Sequence, residues 1–237
     1  MGPIACAPSG TLNRMTVAQA LDRLEMYYGK LRPPGPSDPY EMILYANCGY
    51  PANDITCLKG FDALRKQIGL EPEWILAAPE AKLAAIMRLG GIMPELRATR
   101  LKQIASVVQE SYGGNLSSVL KKPLAEAKKA LKQFPTIGDP GAEKILLFTK
   151  TAPVPAVPSA FVHVLRRLGF GKEAKSYSTG YRSAQEAIRA GLPQDCDALL
   201  RAYLLFQRHG RELCKRSRPM CRSCPLARDC PYFQTQK

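Results

Sequence analysis

HGRELCKRSRPMCRSCPLARDCP, residues 209–231, is the stretch from which this chain is best read. Within it Cys214, Cys221, Cys224 and Cys230 are spaced C-x6-C-x2-C-x5-C. Four thiolates in so short a run can close a tetrahedral metal site, and thiolate is a soft ligand that suits zinc or an iron–sulfur cluster. Zinc sites usually carry two C-x2-4-C knuckles. Here only Cys221 and Cys224 make one. The ferredoxin spacing C-x2-C-x2-C-x3-C is a different one.

Basic residues gather around this loop. Arg208, Arg211, Lys215, Arg216, Arg218, Arg222 and Arg228 are opposed only by Glu212 and Asp229. Over 237 residues, 34 Lys and Arg against 20 Asp and Glu leave a formal charge of +14 and a pI near 9.5. A polyanion is the large partner such a balance favours, because Lys and Arg neutralise phosphates and release condensed counterions. Hydrophobic content of 46% fits a globular chain of one or two domains. The start, MGPIACAPSGTLNRM, lacks a basic stretch followed by an apolar run, and no segment is long enough to span a bilayer, so a cytoplasmic protein without membrane contact is expected. Cysteines clustered at one end agree with an intracellular metal site. Cys6, Cys48, Cys57 and Cys196 lie apart and read as plain thiols.

The rest of the chain is patterned as helices. Thr16 is a suitable N-cap for a helix with Val17, Leu21, Leu24 and Tyr28 on one face. RPPGPSDP, residues 32–39, breaks it. Helical stripes follow through Leu58, Phe61, Leu64 and Ile68, through Leu83, Ile86 and Met87, through Leu101, Ile104, Val107 and Val108, and through Leu124, Ala127, Leu131 and Phe134. A second break, TAPVPAVP at 151–158, precedes helical segments at 161–168 and 199–208. Nothing alternates with period two, so the expected class is all-α, with the apolar stripes forming core.

LKQFPTIGDPGAEKILLF, residues 131–148, resembles the helix–hairpin–helix of the endonuclease III-like DNA glycosylases, the HhH-GPD superfamily, in which L-P-G-h-G precedes a helix. The cysteine loop is similar to the [4Fe-4S] loop of that group, including His209-Gly210-Arg211, Arg218-Pro219 and Cys224-Pro225. Asp38-Pro39-Tyr40-Glu41 resembles the D-P-F-E opening of its helical barrel, residues 89–104 resemble its G-G-F-x-x-x-K-A-x-x-L segment, and VLRRLG at 164–169 resembles the helix after its catalytic loop. The pattern runs from about 39 to 231. The resemblance implies a two-lobed fold: residues 1–38 as an N-terminal helix and linker packing with the cluster lobe, 39–150 as a helical barrel ending in the hairpin, and 151–237 as C-terminal helices with the cluster. It implies a [4Fe-4S] cluster on Cys214, Cys221, Cys224 and Cys230, and a monomer bound to double-stranded DNA, nucleoid-associated if bacterial. Hairpin residues Thr136, Ile137 and Gly138 would offer backbone N–H groups and a helix N-terminus to a phosphate. Arg211, Lys215 and Arg216 would hold the backbone beside the cluster, and Tyr50 and Pro51 would meet the DNA stack.

The chain departs from the family at its working positions. Thr136 stands where the hairpin has its first glycine. In the family an Asp in V-D-T-H/N-V-x-R supports the developing oxocarbenium charge, and that position is Pro158 here. Bifunctional members use a lysine in G-x-K-T-A to form a Schiff base, and that position is Pro140. Lys144 lies about a helical turn later and is expected to point elsewhere. Pro51 replaces a Gln that enters the DNA stack. Residues near enough in sequence to take over chemistry are Asp139, Glu143, Ser159 and His163, although an Asp after a hairpin glycine is also a natural helix N-cap. Three functions are thus open: a DNA-binding iron–sulfur protein of the family that has lost the chemistry, an active DNA N-glycosylase with an unusual catalytic group, and a redox [4Fe-4S] protein.

Overall fold

Capping signals fix where the chain enters its helices. Thr16 accepts the Gln19 N–H at 3.2 Å while the Gln19 side chain accepts the Thr16 N–H at 2.9 Å, a complete capping box that starts α1 (Val17–Tyr28). Asp38 does the same with one bond, accepting the Glu41 N–H at 3.0 Å, and Pro39 supplies a preset first residue for α2 (Pro39–Asn47). Asn53 caps α3 (Asp54–Gln67) through the Thr56 N–H. There follow α4 (Pro72–Ala77), α5 (Glu80–Met87), α6 (Pro94–Tyr112), α7 (Ser117–Leu120), α8 (Leu124–Leu131), α9 (Asp139–Phe148), α10 (Val162–Arg167), α11 (Tyr177–Gly191), α12 (Cys196–Glu212) and α13 (Pro231–Gln234).

The structure, a computed structural model, describes residues 15–49, 53–172 and 174–236. Cys6, Tyr50 and Pro51 lie outside them. Among the described residues there is no strand, as expected for an all-α chain, and no helix is long and apolar enough to cross a membrane. The chain forms two compact units, one within residues 1–31, 160–192 and 205–237, the other within 32–159 and 193–204. Residues 32–38 thus group with the middle of the chain, where Pro34 and Pro36 line a cavity together with Met42, Tyr45 and Phe148.

In the second unit α6 packs against α2, α4 and α5, and fully buried Ile43, Leu44, Leu64, Leu83, Met87, Leu101 and Ile104 form the core. The α3 stripe differs from its expected register. Leu58 is 44% exposed, and the buried row is Cys57, Gly60, Phe61 and Leu64. Gly60 is the reason: a Cβ there would sit 2.4 Å from the Cys48 carbonyl oxygen, so a residue without side chain lets α3 approach the end of α2. Arg97 is buried in the same region. Its guanidinium donates to the carbonyls of Cys48 (2.8 Å), Met87 (2.5 Å), Gly91 (2.9 Å) and Ile92 (3.0 Å). In the first unit α11 packs on α1 and α10. Gly210 lets α12 meet α10, since a Cβ there would lie 2.3 Å from the Phe161 ring.

Candidate nucleic-acid interface and metal centre

The hairpin is built by α8, a tight turn and α9. Thr136 occupies the left-handed region at φ 67, the conformation for which a glycine is the ordinary choice. A β-branched residue pays roughly 1–2 kcal/mol to stay there. Buried Asn47 sits beside the turn: it donates to the Pro135 carbonyl at 3.4 Å and its side-chain oxygen accepts the Thr136 hydroxyl at 3.4 Å. Ile137 and Phe134 are buried, anchoring the turn to the unit's core, whereas Thr136 and Gly138 are exposed. Gly138 is the N-cap of α9, with no side-chain capping bond. The start of α9 is therefore not closed by a side chain, and its dipole favours an anion.

Asp139 is the first residue of α9, not its cap. Its carboxylate pairs with Lys132 at 2.9 Å and Lys128 at 3.4 Å, and the Lys132 bond holds it below the ordinary carboxylate range. Glu143, one turn on, is buried and accepts from Lys128 at 2.5 Å. Burial alone would lower the Lys128 ammonium, but Glu143 and Asp139 more than offset this and raise it. These two carboxylates and two lysines fasten α8 to α9. An acid catalyst would need a carboxyl that holds its proton near neutrality, and Asp139 is shifted the other way.

The cysteine loop belongs to the other unit. Cys214, Cys221, Cys224 and Cys230 line one cavity with Leu168, His209 and Leu213. Burial raises the Cys214 and Cys230 thiols and pushes Cys224 up to about 11. Among the described residues no three His, Cys, Asp or Glu converge as ligands of a single metal ion. The Leu226 N–H donates to the Cys224 sulfur at 3.4 Å, and His209 Nε2 lies 3.6 Å from it. Burial pulls His209 down to about 4, so its ring is neutral at pH 7, and its Nδ1 meets the Tyr28 hydroxyl at 3.1 Å. Arg23 pairs with Asp229 at 2.5 Å, joining α1 to the loop.

Helix α10 holds the first part of the loop. His163 Nε2 lies 2.8 Å from the Cys214 carbonyl, which can only accept, so the proton is on Nε2 and buried Nδ1 has no hydrogen-bond partner among the described residues. Burial keeps the His163 pKa below the ordinary histidine value despite that bond, with Arg167, Arg216 and Arg166 adding to the effect. Arg167 donates to the Cys214 sulfur at 3.6 Å and to the carbonyls of Lys215 and Arg216, both at 2.7 Å. Lys215 and Arg216 have exposed side chains, and the Arg216 guanidinium reaches the Ala160 carbonyl at 3.5 Å; Arg211 is half-buried.

Of the catalytic candidates, Asp139, Glu143 and Ser159 belong to one unit and His163 to the other. Asp139 and Glu143 share Lys128 in one unit, while His163 serves the cysteine loop in the other. Ser159 is exposed at the start of a short 3-10 turn. Pro158 is buried. Lys144 lines the cavity formed with Pro34, Pro36 and Met42, its ammonium 5.1 Å from the centre of the Phe148 ring. Asn47 and Arg167 escaped the sequence reading. For Arg167 a signal existed, since it stands four residues after His163 and so on the same face of α10.

No family model matches the chain. Among known proteins it is similar to the thymine-DNA glycosylase of Aeropyrum pernix, 26% identical over 162 residues, which are 68% of this chain and 69% of that protein. Endonuclease III of Thermotoga maritima is 24% identical over 198 residues, 84% of this chain and 85% of the relative. Among solved structures, a trapped endonuclease III–DNA covalent intermediate superposes with a TM-score of 0.75 at 19% identity, covering 95% of this chain and 99% of that one. A thermostable thymine-DNA glycosylase gives 0.69 at 20% identity, covering 92% and 95%.

Proposed function

Because the chain belongs to the endonuclease III-like HhH-GPD superfamily of DNA glycosylases, we propose that it is an iron–sulfur protein that binds damaged or distorted double-stranded DNA as a monomer without the family's bond-breaking residues. The observation that carries this reading is the Thr136 turn. A hairpin that has lost its first glycine still holds the left-handed conformation and leaves the α9 N-terminus without a side-chain cap. That retention supports a phosphate-binding role for Thr136, Ile137 and Gly138, the first and last exposed and Ile137 contributing main chain. Arg211, Lys215 and Arg216 supply further phosphate contacts in a chain of net charge +14.

The donor set fits a cluster. Four thiols line one cavity, and thiolate is the ligand that iron–sulfur clusters take. Cys214, Cys221, Cys224 and Cys230 would hold the [4Fe-4S] group, which when bound cross-links the loop and adds a one-electron redox centre. His209, neutral and buried, and the Leu226 N–H support Cys224, while Arg23 and α10 keep the loop on the unit. On this reading the cluster serves chiefly to present Arg211, Lys215 and Arg216.

Pro140 and Pro158 stand where the family carries its Lys and Asp, and neither has a side chain that can take a proton or attack a sugar. The named activities of the relatives favour a second reading, an active N-glycosylase with another catalytic residue. Fluorescence anisotropy with lesion-bearing and intact duplexes across a salt series tests the first reading. Affinity that falls steeply with salt and is tighter for the lesion or distortion is expected. Salt-insensitive or weak binding, together with a reversible cluster potential, would transfer the assignment to a redox protein. Freed base in the same mixtures would transfer it to a glycosylase, with Asp139, Glu143, Ser159 and His163 as the first positions to replace.

A further inference from the structure

One side chain touches the cysteine loop near both ends. Arg167, the last residue of α10, donates from Nη1 to the Cys214 sulfur at 3.6 Å and to the Lys215 carbonyl at 2.7 Å, and from Nη2 to the Arg216 carbonyl at 2.7 Å. Its guanidinium carbon stands 4.4 Å from the centre of the Tyr232 ring, two residues beyond Cys230. Its own carbonyl accepts from the Cys230 thiol at 3.5 Å. The first and last cysteines of the run are thus held by one residue, through a cation, a stacked ring and a main-chain oxygen. An arginine that merely covered a surface would not spend its fork on two carbonyls and a sulfur.

We propose that Arg167 is a positioning residue of the cluster site, which sets both how firmly the cluster is retained and its reduction potential. This rests on the cluster reading above. The guanidinium brings a planar, delocalised cation to the sulfur. Donated to a thiolate it makes a charge-assisted hydrogen bond, stronger than a neutral one. Hydrogen bonds to the sulfurs and local charge are among the levers on cluster potential, and a fixed cation favours the more reduced, more negative state. The two carbonyl bonds separately fix the 214–216 backbone, so the residue orients Cys214 as well as polarising it. A partner of this kind behind a metal ligand typically carries ten- to a hundredfold in metal affinity.

The test compares wild type, Arg167→Lys and Arg167→Gln as full chains purified without air. Iron and sulfide content comes first: a wild type without them overturns the cluster reading itself. With a loaded wild type, iron release to a chelator and the potential from dithionite titration are then measured. Release about tenfold faster in Arg167→Gln is expected, with a potential more negative than wild type and Arg167→Lys between the two, because Lys keeps the charge and loses the fork. Release and potential unchanged in Arg167→Gln would overturn the inference while leaving the cluster assignment intact. Should the Gln variant fail to fold, Arg167→Lys carries the same two readouts against wild type.

Discussion

The hairpin and the cysteine loop, the two turns to which binding roles are proposed, are held in opposite ways. The hairpin is held by packing. Phe134, Ile137 and Ala142 are buried, the Lys128–Glu143 pair locks α8 to α9, and Asn47 braces the strained Thr136. The cysteine loop has little packing of its own: between 214 and 232 only Leu226 and Cys230 are buried. Polar bonds from α10, α1 and His209 do the holding. The difference predicts that the hairpin tolerates substitution better than the cysteine loop does. A packed turn absorbs an unfavourable residue at about 1–2 kcal/mol. On the proposed cluster, a loop held through four thiols would not tolerate the loss of one.

Replacing one cysteine should break the comparison most severely. Cys221→Ser is expected to abolish the brown visible absorbance and expose 213–232 to limited proteolysis, with the hairpin unit still protected. A colourless wild type that is folded and full of zinc would remove the iron–sulfur assignment. In the hairpin, Glu143→Gln strips Lys128 of its buried partner; allowing for the 30% exposure of the lysine side chain, a loss of about 2 kcal/mol in urea unfolding is expected. Unchanged stability would mean that the Lys128–Glu143 pair does not hold α8 to α9.

The Arg211→Ala, Lys215→Ala double variant should lower the salt slope of DNA binding by about two, one for each phosphate no longer neutralised. An unaltered slope would move the interface elsewhere. Smaller still, Thr136→Val should cost about 1 kcal/mol, because it keeps the left-handed strain and removes the hydroxyl bonded to Asn47. Thr136→Gly should fall within about 0.5 kcal/mol of wild type, strain relief offset by the entropy of a freer unfolded chain. If Val proves harmless, Asn47 is not bracing the turn.

The pH dependence of the hairpin follows from its two shifted groups. Lys128 is raised in the folded state, so its contribution is complete below the unfolded lysine value near 10.4 and is lost as pH rises through the folded value. Asp139 is lowered, so its contribution is complete above about 3.9 and is lost as pH falls through the folded value. Thermal unfolding of wild type and Asp139→Asn should converge in acid and separate slightly at neutral pH. Equal behaviour throughout would show that the Lys132 pair is idle.

Much of the fold was legible because it is written locally. Thr16 caps its helix within three residues of itself, and the α5 stripe and Leu101, Ile104 and Val108 of α6 are buried where their spacing put them, with Val107 half-buried. What was hidden depends on distant partners. Arg97 reads as surface until four carbonyls from three separate places in the chain are found around it. Leu58 reads as core until Gly60, invisible to any hydrophobic count, brings α3 against α2 on another face. Asp139 reads as a cap until Lys132 and Lys128 claim it. The cysteine spacing pointed to a metal ligand set, but nothing in the spacing of 214–230 could name Arg167 on another helix as their neighbour.

On the proposed function, this fold binds DNA without the bond-breaking residues of the glycosylases. Incubating cluster-loaded protein with DNA that carries deaminated, oxidised and alkylated bases, then identifying freed bases by mass spectrometry against a protein-free control, tests it most directly. No freed base, from protein shown to bind the same DNA, is the predicted result. Release of any base above the control would contradict it and place the catalysis on a residue other than those at 140 and 158.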